Sequence, residues 1–185
     1  MATKSATKNP ATKEAIWPGL EAGVPKPLMP YSPAIRAGDW VFIAGLIASD
    51  FQTGLAPEVV NSNSYLDNEL GLQSNFVLRN LASTIKACDC DINKNMVRMW
   101  QWLVSENPSQ SDFHKGDNWP SMTLKPYLNI RDTIVNSPAP PSSYLGVREL
   151  LCLGTALEVD MICLDDEHQP QIIEAPKGIS TASGG

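Results

Sequence analysis

The segment TALEVDMIC, residues 155–163, places two carboxylates two positions apart on a predicted strand. Because successive side chains of a strand point to opposite faces, Glu158 and Asp160 share one face. The apolar residues that alternate with them, Leu157, Val159, Met161 and Cys163, share the other. A carboxylate on such a face can act as a general base if it lines a cleft. It can equally form an ion pair with an arginine across a subunit interface. The pattern leaves both interpretations open.

Other residue types that often carry chemistry do not form a recognisable site. The four cysteines, at positions 88, 90, 152 and 163, lack the spacing of a disulfide framework, and both histidines, His114 and His168, are far in sequence from the Cys88–Cys90 pair. A metal site is therefore not expected, and reduced thiols are. Ser142 and Ser143 have no histidine in recognisable relation to them, so neither resembles an activated nucleophile.

The bulk composition favours one globular domain. The chain has 185 residues, 43% of them hydrophobic, and a net charge of −6, although residues 1–13 hold three lysines and no acidic residue. An acidic body repels phosphate backbones, which argues against nucleic acid as a partner. No apolar run is long enough to span a bilayer, and no secretory signal is evident. We therefore expect a cytoplasmic protein with no membrane partner.

The elements that must position these residues follow from periodicity. Alternation predicts strands at 39–47, 96–104, 144–150 and 155–163, and an apolar stripe at three- and four-residue steps predicts a helix from about residue 64 to 88. A second helix is expected from about 124 to 135. Residues 1–30 are predicted to be an extended or disordered arm, 31–164 one domain, and 165–185 a tail.

This order, β-α-β-α-β-β, predicts an α+β layer with two helices on one face of a mixed sheet. Two helices cover one face only, yet several strands are apolar on both faces, so we expect self-association to bury the second.

Three segments together carry a resemblance. The three segments are YSPAIRAGDWVFIAGLIASDFQTG, QSNFVLRNLASTIKACDCDINKNMVRMWQWLV and PPSSYLGVRELLCLGTALEVDMIC. In their order and separation they are similar to the opening, central and closing segments of the YjgF/Rid family of reactive-intermediate deaminases. The resemblance covers about residues 30–164. It implies a chorismate-mutase-like fold and a homotrimer whose sheets form a central barrel with clefts at the subunit interfaces.

The resemblance also implies hydrolysis of an imine or enamine to a ketone and ammonia, without metal or organic cofactor. Glu158 stands at the position of the family's glutamate that orients the attacking water, and Tyr31 stands at that of its cleft tyrosine. The family's arginine in a Pro-x-Arg-Ser step is missing, because this chain reads Pro-Pro-Ser-Ser at 140–143. Leu46 replaces a polar residue of the opening segment. Four further residues could line the cleft: Ser142, Ser143, Tyr144 and Trp119, the last as a lid residue in the polar loop 105–121.

Without that arginine, the cleft should disfavour a substrate carboxylate, unless Arg36, Arg79, Arg98 or Arg148 enters it. We therefore expect a Rid-like hydrolase acting on a small neutral or aromatic metabolite. The alternative is a non-catalytic trimer that binds a small ligand or a partner protein through the same clefts. An endoribonuclease role is disfavoured by the acidic body.

Overall fold

The structure, a computed structural model, describes residues 12–60, 69–104, 124–136 and 139–166. The predicted loop 105–121, with Trp119, lies outside these residues, as do most of the predicted tail and the first eleven residues of the arm. No helix in the described ranges is long and apolar enough to cross a membrane.

Six strands form one mixed sheet in the order β1-β2-β3-β6-β4-β5. Strands β4 and β5 run parallel and all other neighbours antiparallel. The strands are β1 (Lys13–Ile16), β2 (Ala34–Ala37), β3 (Trp40–Ile47), β4 (Met96–Val104), β5 (Ser142–Val147) and β6 (Leu157–Leu164).

In the described ranges, three α-helices accompany the sheet: the single turn α1 (Pro57–Val60), the long helix α2 (Glu69–Ala87) and α3 (Lys125–Ile134). Pro126 lies in the first turn of α3, where its missing N–H costs no helical hydrogen bond. Helix α2 packs on β3, β6 and α3. The core lies between the helices and one face of the sheet, and contains fully buried side chains from both, such as Leu78, Leu81 and Met161. The predicted α+β layer with a mixed sheet is confirmed.

Part of the predicted arm joins the sheet. Residues 13–16 form β1, which pairs along β2, and a short 3-10 turn follows at Leu20–Ala22. Strand β2 and the turn that joins it to β3 carry little hydrophobic periodicity of their own. Gly38 lies in this turn with a φ of +62°, which suits glycine. Pairing with β3, rather than local pattern, therefore organises this edge.

Two β-bulges change which side chains face the helices. Strict alternation along β4 would place Met96 on the same face as Arg98, but the pairing of β4 with β6 shifts between these residues, and Met96 is buried in the core. The pairing of β3 with β6 shifts between Ile43 and Leu46. A bulge inserts one residue and so reverses the alternation beyond it.

Candidate active site

The sheet face opposite the helices is largely uncovered by the described residues. In this part of the chain, Trp40 and Phe42 of β3 remain 45% and 46% exposed, although both are large and apolar. We call this surface the open face; its residues are Trp40, Phe42, Arg98, Trp100, Trp102, Ser143, Leu145, Glu158, Asp160 and Ile162.

Strand β6 supplies both carboxylates to the open face. Its buried and half-buried positions alternate strictly, so Val159 and Met161 point into the core while Glu158 and Asp160 point away from it. Trp102 of β4 pairs with Glu158 across the strands, and its indole Nε1 donates a hydrogen bond of 3.1 Å to Asp160 Oδ2. Asp160 is therefore held by a neutral donor, whereas the Glu158 carboxylate accepts no hydrogen bond from the described side chains.

Gly45 makes room for the Glu158 carboxylate. The bulge in β3 turns Gly45 toward this carboxylate, and a Cβ built on Gly45 would lie 1.9 Å from Glu158 Oε1. No side chain larger than hydrogen fits at residue 45 without displacing the carboxylate. The glycine is thus required by contact rather than by its backbone angles.

Tyr31 reaches the same place from the segment before β2. Burial, and then the negative charge of Glu158, raise the pKa of the Tyr31 phenol above its ordinary value, so the two groups are near enough to interact electrostatically. Because β2 runs antiparallel to β3, the residues preceding Ala34 lie beside the end of β3 that contains Gly45 and Ile47. Tyr31, Gly45 and Glu158 therefore meet at one end of the sheet.

The surroundings of Glu158 and Asp160 favour the protonated form of each carboxyl group more than water does. Burial raises the pKa of Glu158 above its ordinary value, and the neighbouring charge of Asp160 raises it further. Burial also raises the pKa of Asp160, while the hydrogen bond from Trp102 opposes that shift. A carboxylate with a raised pKa is a stronger base once it is ionised, which suits proton abstraction from water.

Of the other predicted site residues, Leu46 and Tyr144 lie on the helix side of the sheet. Leu46 is 3% exposed, because the bulge in β3 turns it into the core. Tyr144 pairs with Gln101 in the parallel β4–β5 ladder, and its hydroxyl accepts a hydrogen bond from Arg131 of α3. Neither side chain lies with Glu158 in this chain.

The two serines diverge. The Ser142 hydroxyl donates a hydrogen bond of 3.0 Å to the carbonyl of Pro140, a local contact before β5. Ser143 lies on the open face, where its hydroxyl accepts a hydrogen bond from the Arg98 guanidinium. The register places Ser143 beside Trp100, two strands away from β6.

Arg98 is the arginine of the open face. Its guanidinium carbon lies 4.7 Å from the centroid of the Trp100 ring, a cation–π contact. Three other arginines were considered as replacements for the missing one. Arg36 forms a 2.7 Å ion pair with Asp165 and bonds the carbonyl of Cys88 after α2; Arg79 pairs with Glu58 at 2.8 Å on the helix side; Arg148 is exposed in the β5–β6 loop.

Sequence reasoning named Arg98 among four arginines that could enter the cleft, but it missed Gly45 as a site residue. The alternation in MVRMWQWLV did indicate that Arg98 shares a face with Trp100 and Trp102. No single-strand pattern could indicate that Gly45 supports Glu158, because that contact depends on the bulge and on the pairing of β3 with β6.

All four cysteines lie in the described part of the chain. Cys88, Cys90 and Cys163 are buried free thiols, and Cys152 is a half-buried one. Burial raises the pKa of Cys88 to about 11 and of Cys163 to about 12, so both remain protonated at neutral pH. Within the described ranges, no group of three potential ligands could hold a metal ion.

Comparison with known proteins gives a consistent result. No protein-family model matches the chain. Over 95 residues it is 38% identical to a RutC family protein of Pyrococcus horikoshii; the match covers 51% of this chain and 65% of that relative. The chain therefore spans less than two thirds of the length of this relative.

Solved structures share the fold. RidA from an Antarctic Psychrobacter is 19% identical, with a TM-score of 0.54 over 77% of this chain and 94% of its own. A Thermotoga maritima protein provisionally assigned as an endoribonuclease is 18% identical, with a TM-score of 0.56 over 78% and 94%. The yeast protein YEO7 is 16% identical, with a TM-score of 0.60 over 84% and 100%. The predicted fold is confirmed.

Proposed function

We propose that this chain, which is similar in sequence to a RutC family protein and shares the fold of Rid proteins, hydrolyses a small imine or enamine to a carbonyl compound and ammonia. Glu158 positions and deprotonates the attacking water. Tyr31 contacts the reacting group. The observation that carries this proposal is the convergence of Tyr31, Gly45 and Glu158 at one end of the open face.

The proposed reaction is a water addition followed by an elimination. Glu158 accepts a proton from water as the water oxygen bonds to the carbon of C=N, and then passes this proton to the nitrogen, giving a neutral carbinolamine. As the carbonyl forms and the C–N bond breaks, Glu158 takes the proton of the new hydroxyl and returns it to the departing nitrogen, which leaves as ammonia. The sum is one imine and one water to one carbonyl compound and one ammonia, with Glu158 returned to its starting state.

The surroundings of Glu158 support a neutral or aromatic substrate. Trp102 lies beside Glu158 in the sheet, and Trp100 beside Asp160, so flat apolar groups can stack there. The two carboxylates repel an anion and attract the protonated iminium form of an imine. Within one chain the Arg98 guanidinium is turned to β5, away from Glu158.

The assembly proposed with this function is a homotrimer closed over the open face. Three exposed residues of this face are large and apolar: Trp40, Phe42 and Leu145. Apolar surface of this kind, rimmed by charged groups, is typical of an interface. The site would then lie in a cleft between copies and exclude bulk water.

The direct test measures ammonia release from imines formed in situ. An amine oxidase acting on neutral arylalkylamines supplies uncharged imines, and an amino-acid oxidase supplies carboxylated ones. We expect the native protein to accelerate hydrolysis of the neutral set, and Glu158→Gln to reduce that rate by about 10²- to 10⁴-fold, the usual contribution of a general base. Glu58→Gln, which removes a carboxylate of the exposed pair with Arg79, serves as the control and should leave the rate unchanged.

Two results would replace this proposal. If no imine is hydrolysed but neutral aromatic ligands bind at Tyr31 and Glu158, the chain is a binding protein rather than a hydrolase. If RNA is cut, the role assigned to the Thermotoga protein applies here instead. The pair Glu158 and Asp160 on the open face argues against RNA, because both carboxylates repel phosphates.

A further inference from the structure

The charges of the open face are divided between two halves of the sheet. The half formed by β3 and β6 contains Glu158 and Asp160, and the half formed by β4 and β5 contains Arg98. Glu158 and Asp160 lie on β6, and the Glu158 carboxylate is turned over Gly45 toward β3. Arg98 lies on β4, and its guanidinium is turned the opposite way, toward Ser143 of β5. Arg98 pairs in register with Ile162, four residues along β6 from Glu158, a distance of roughly 13 Å along the strand.

None of these three charges is neutralised within the described part of the chain. Neither Glu158, Asp160 nor Arg98 forms an ion pair there. Two contacts instead hold the guanidinium in place, the Trp100 ring beneath it and the Ser143 hydroxyl beside it. A positive group fixed over an aromatic ring on an apolar face is arranged to meet a partner from outside the chain.

Covering the open face without pairing these charges would be unfavourable. Removing an ion from water is strongly unfavourable unless an opposite charge compensates it. The described surface nevertheless needs a cover, since Trp40 and Phe42 are almost half exposed. A second copy can cover it at low cost if the Arg98 half of one copy is placed against the Glu158 half of the next.

We propose that Arg98 of a neighbouring copy lies against Glu158 and Asp160 and completes the site, an inference that rests on the proposed function. In the trimer proposed above, each contact between neighbouring copies is head-to-tail, and three such contacts close into a ring. The open face is thus both the interface and the wall of three equivalent sites, none of which is complete in a single chain.

In this arrangement Arg98 is a positioning residue that keeps Glu158 ionised. Among the described residues of one chain, the groups facing Glu158 are Asp160 on its own strand, Trp102 on β4, Gly45 on β3 and Tyr31, and none of these carries a positive charge. An approaching guanidinium favours the carboxylate and lowers the pKa that burial and Asp160 raise. The net charge of the site stays negative, which fits an iminium-forming substrate.

Complementation between two inactive variants tests the inference. Glu158→Gln and Arg98→Gln are each expected to hydrolyse neutral imines poorly. Co-expressed with different tags and purified through both, they form mixed trimers, and in each such ring one of the three head-to-tail junctions has a native Glu158 facing a native Arg98. Activity well above that of either variant alone is the expected result. Arg79→Gln, which removes a guanidinium on the helix side, is the matched control and should behave as the native protein.

The pH profile supplies a readout that a purely structural role would not change. Arg98→Gln should move the acidic limb of the profile of rate against pH to higher pH. Arg98→Lys should return this limb most of the way to its native position. An Arg98→Gln variant with native activity would overturn the inference and leave the hydrolase proposal intact. Two inactive variants whose mixture stays inactive would also overturn it, because Arg98 would then act within its own chain. An active Glu158→Gln would instead contradict the proposed function.

Discussion

Gly45 and Glu158 form the closest fit of the candidate site, because the Glu158 carboxylate occupies the space that any side chain at residue 45 would need. A Cβ on Gly45 would lie 1.9 Å from Glu158 Oε1 and 2.8 Å from its carboxyl carbon. The atom in the way is the end of a flexible side chain and not backbone. Substitution at residue 45 should therefore move the carboxylate while leaving the strand in place.

The first prediction concerns Gly45→Ala. The variant should fold with near-native stability, since the Glu158 side chain can rotate away, but imine hydrolysis should fall by at least about tenfold because the displaced base no longer meets the water. Ammonia release and thermal unfolding, measured on the same preparation, separate the two effects.

Gly71→Ala is the control for that change. A Cβ at Gly71 of α2 would meet only Pro126 Cβ, at 3.8 Å, an ordinary contact. Alanine also favours the helix over glycine by up to about 1 kcal/mol. In a Glu158→Gln background, Gly45→Ala should cause no further loss of activity. A further loss there would mean that Gly45 acts through some group other than Glu158.

The second prediction concerns Asp160→Asn. Burial and then the charge of Asp160 raise the pKa of Glu158, so removing that charge lowers the pKa without bringing it to the ordinary value. Since Glu158 acts as a base, activity rises as pH passes its pKa. The acidic limb of the rate profile should therefore shift to lower pH in Asp160→Asn. A limb that does not move would exclude Glu158 as the titrating group.

The sequence predicted the parts of the fold that are set by local periodicity. Strand β4 has the predicted bounds, 96–104, and α3 and β6 end within two residues of theirs, because their core-facing residues recur at the period of the element. The alternation of Leu157, Glu158 and Val159 also identified the face that holds the carboxylate. Periodicity reports which side of an element is apolar, and here that was sufficient.

What the sequence could not predict depends on strand pairing. The β3 bulge between Ile43 and Leu46 turns Leu46 into the core and Gly45 toward Glu158, so the residue predicted for the cleft and the residue found beside it are neighbours in sequence. Tyr144 likewise faces α3, because its parallel partner Gln101 points to the helix side. Neither fact is encoded in the pattern of a single strand.

The third prediction concerns Gln73, a fully buried side chain of α2 that supports the start of β6. Its Nε2 donates to the carbonyl of Gly154 at 2.9 Å, and its Oε1 accepts from the backbone N–H of Ala156 at 2.7 Å. Gln73→Leu would leave both backbone groups unpaired. We expect a loss of about 1–3 kcal/mol in unfolding free energy for each such group.

Chemical denaturation measures this loss. Asn75→Ala, at an exposed position of the same helix, is the control and should change the unfolding free energy by less than about 0.5 kcal/mol. A Gln73→Leu variant as stable as the native protein would show that the β5–β6 loop rearranges to satisfy its own backbone.

The fourth prediction tests the assembly through Phe42. This residue lies on the open face, 46% exposed, so Phe42→Asp should not disturb the fold of one chain. If copies close over the open face, the new carboxylate would be buried among aromatic side chains, and burying an unpaired charge is strongly unfavourable. Light scattering should then give the mass of one chain for Phe42→Asp and of three for the native protein, with imine hydrolysis lost in parallel. Val60→Glu, at a 61% exposed position of α1 on the helix side, should remain trimeric. A native protein with the mass of a single chain would contradict the assembly and, with it, the pairing of Arg98 with Glu158 between copies.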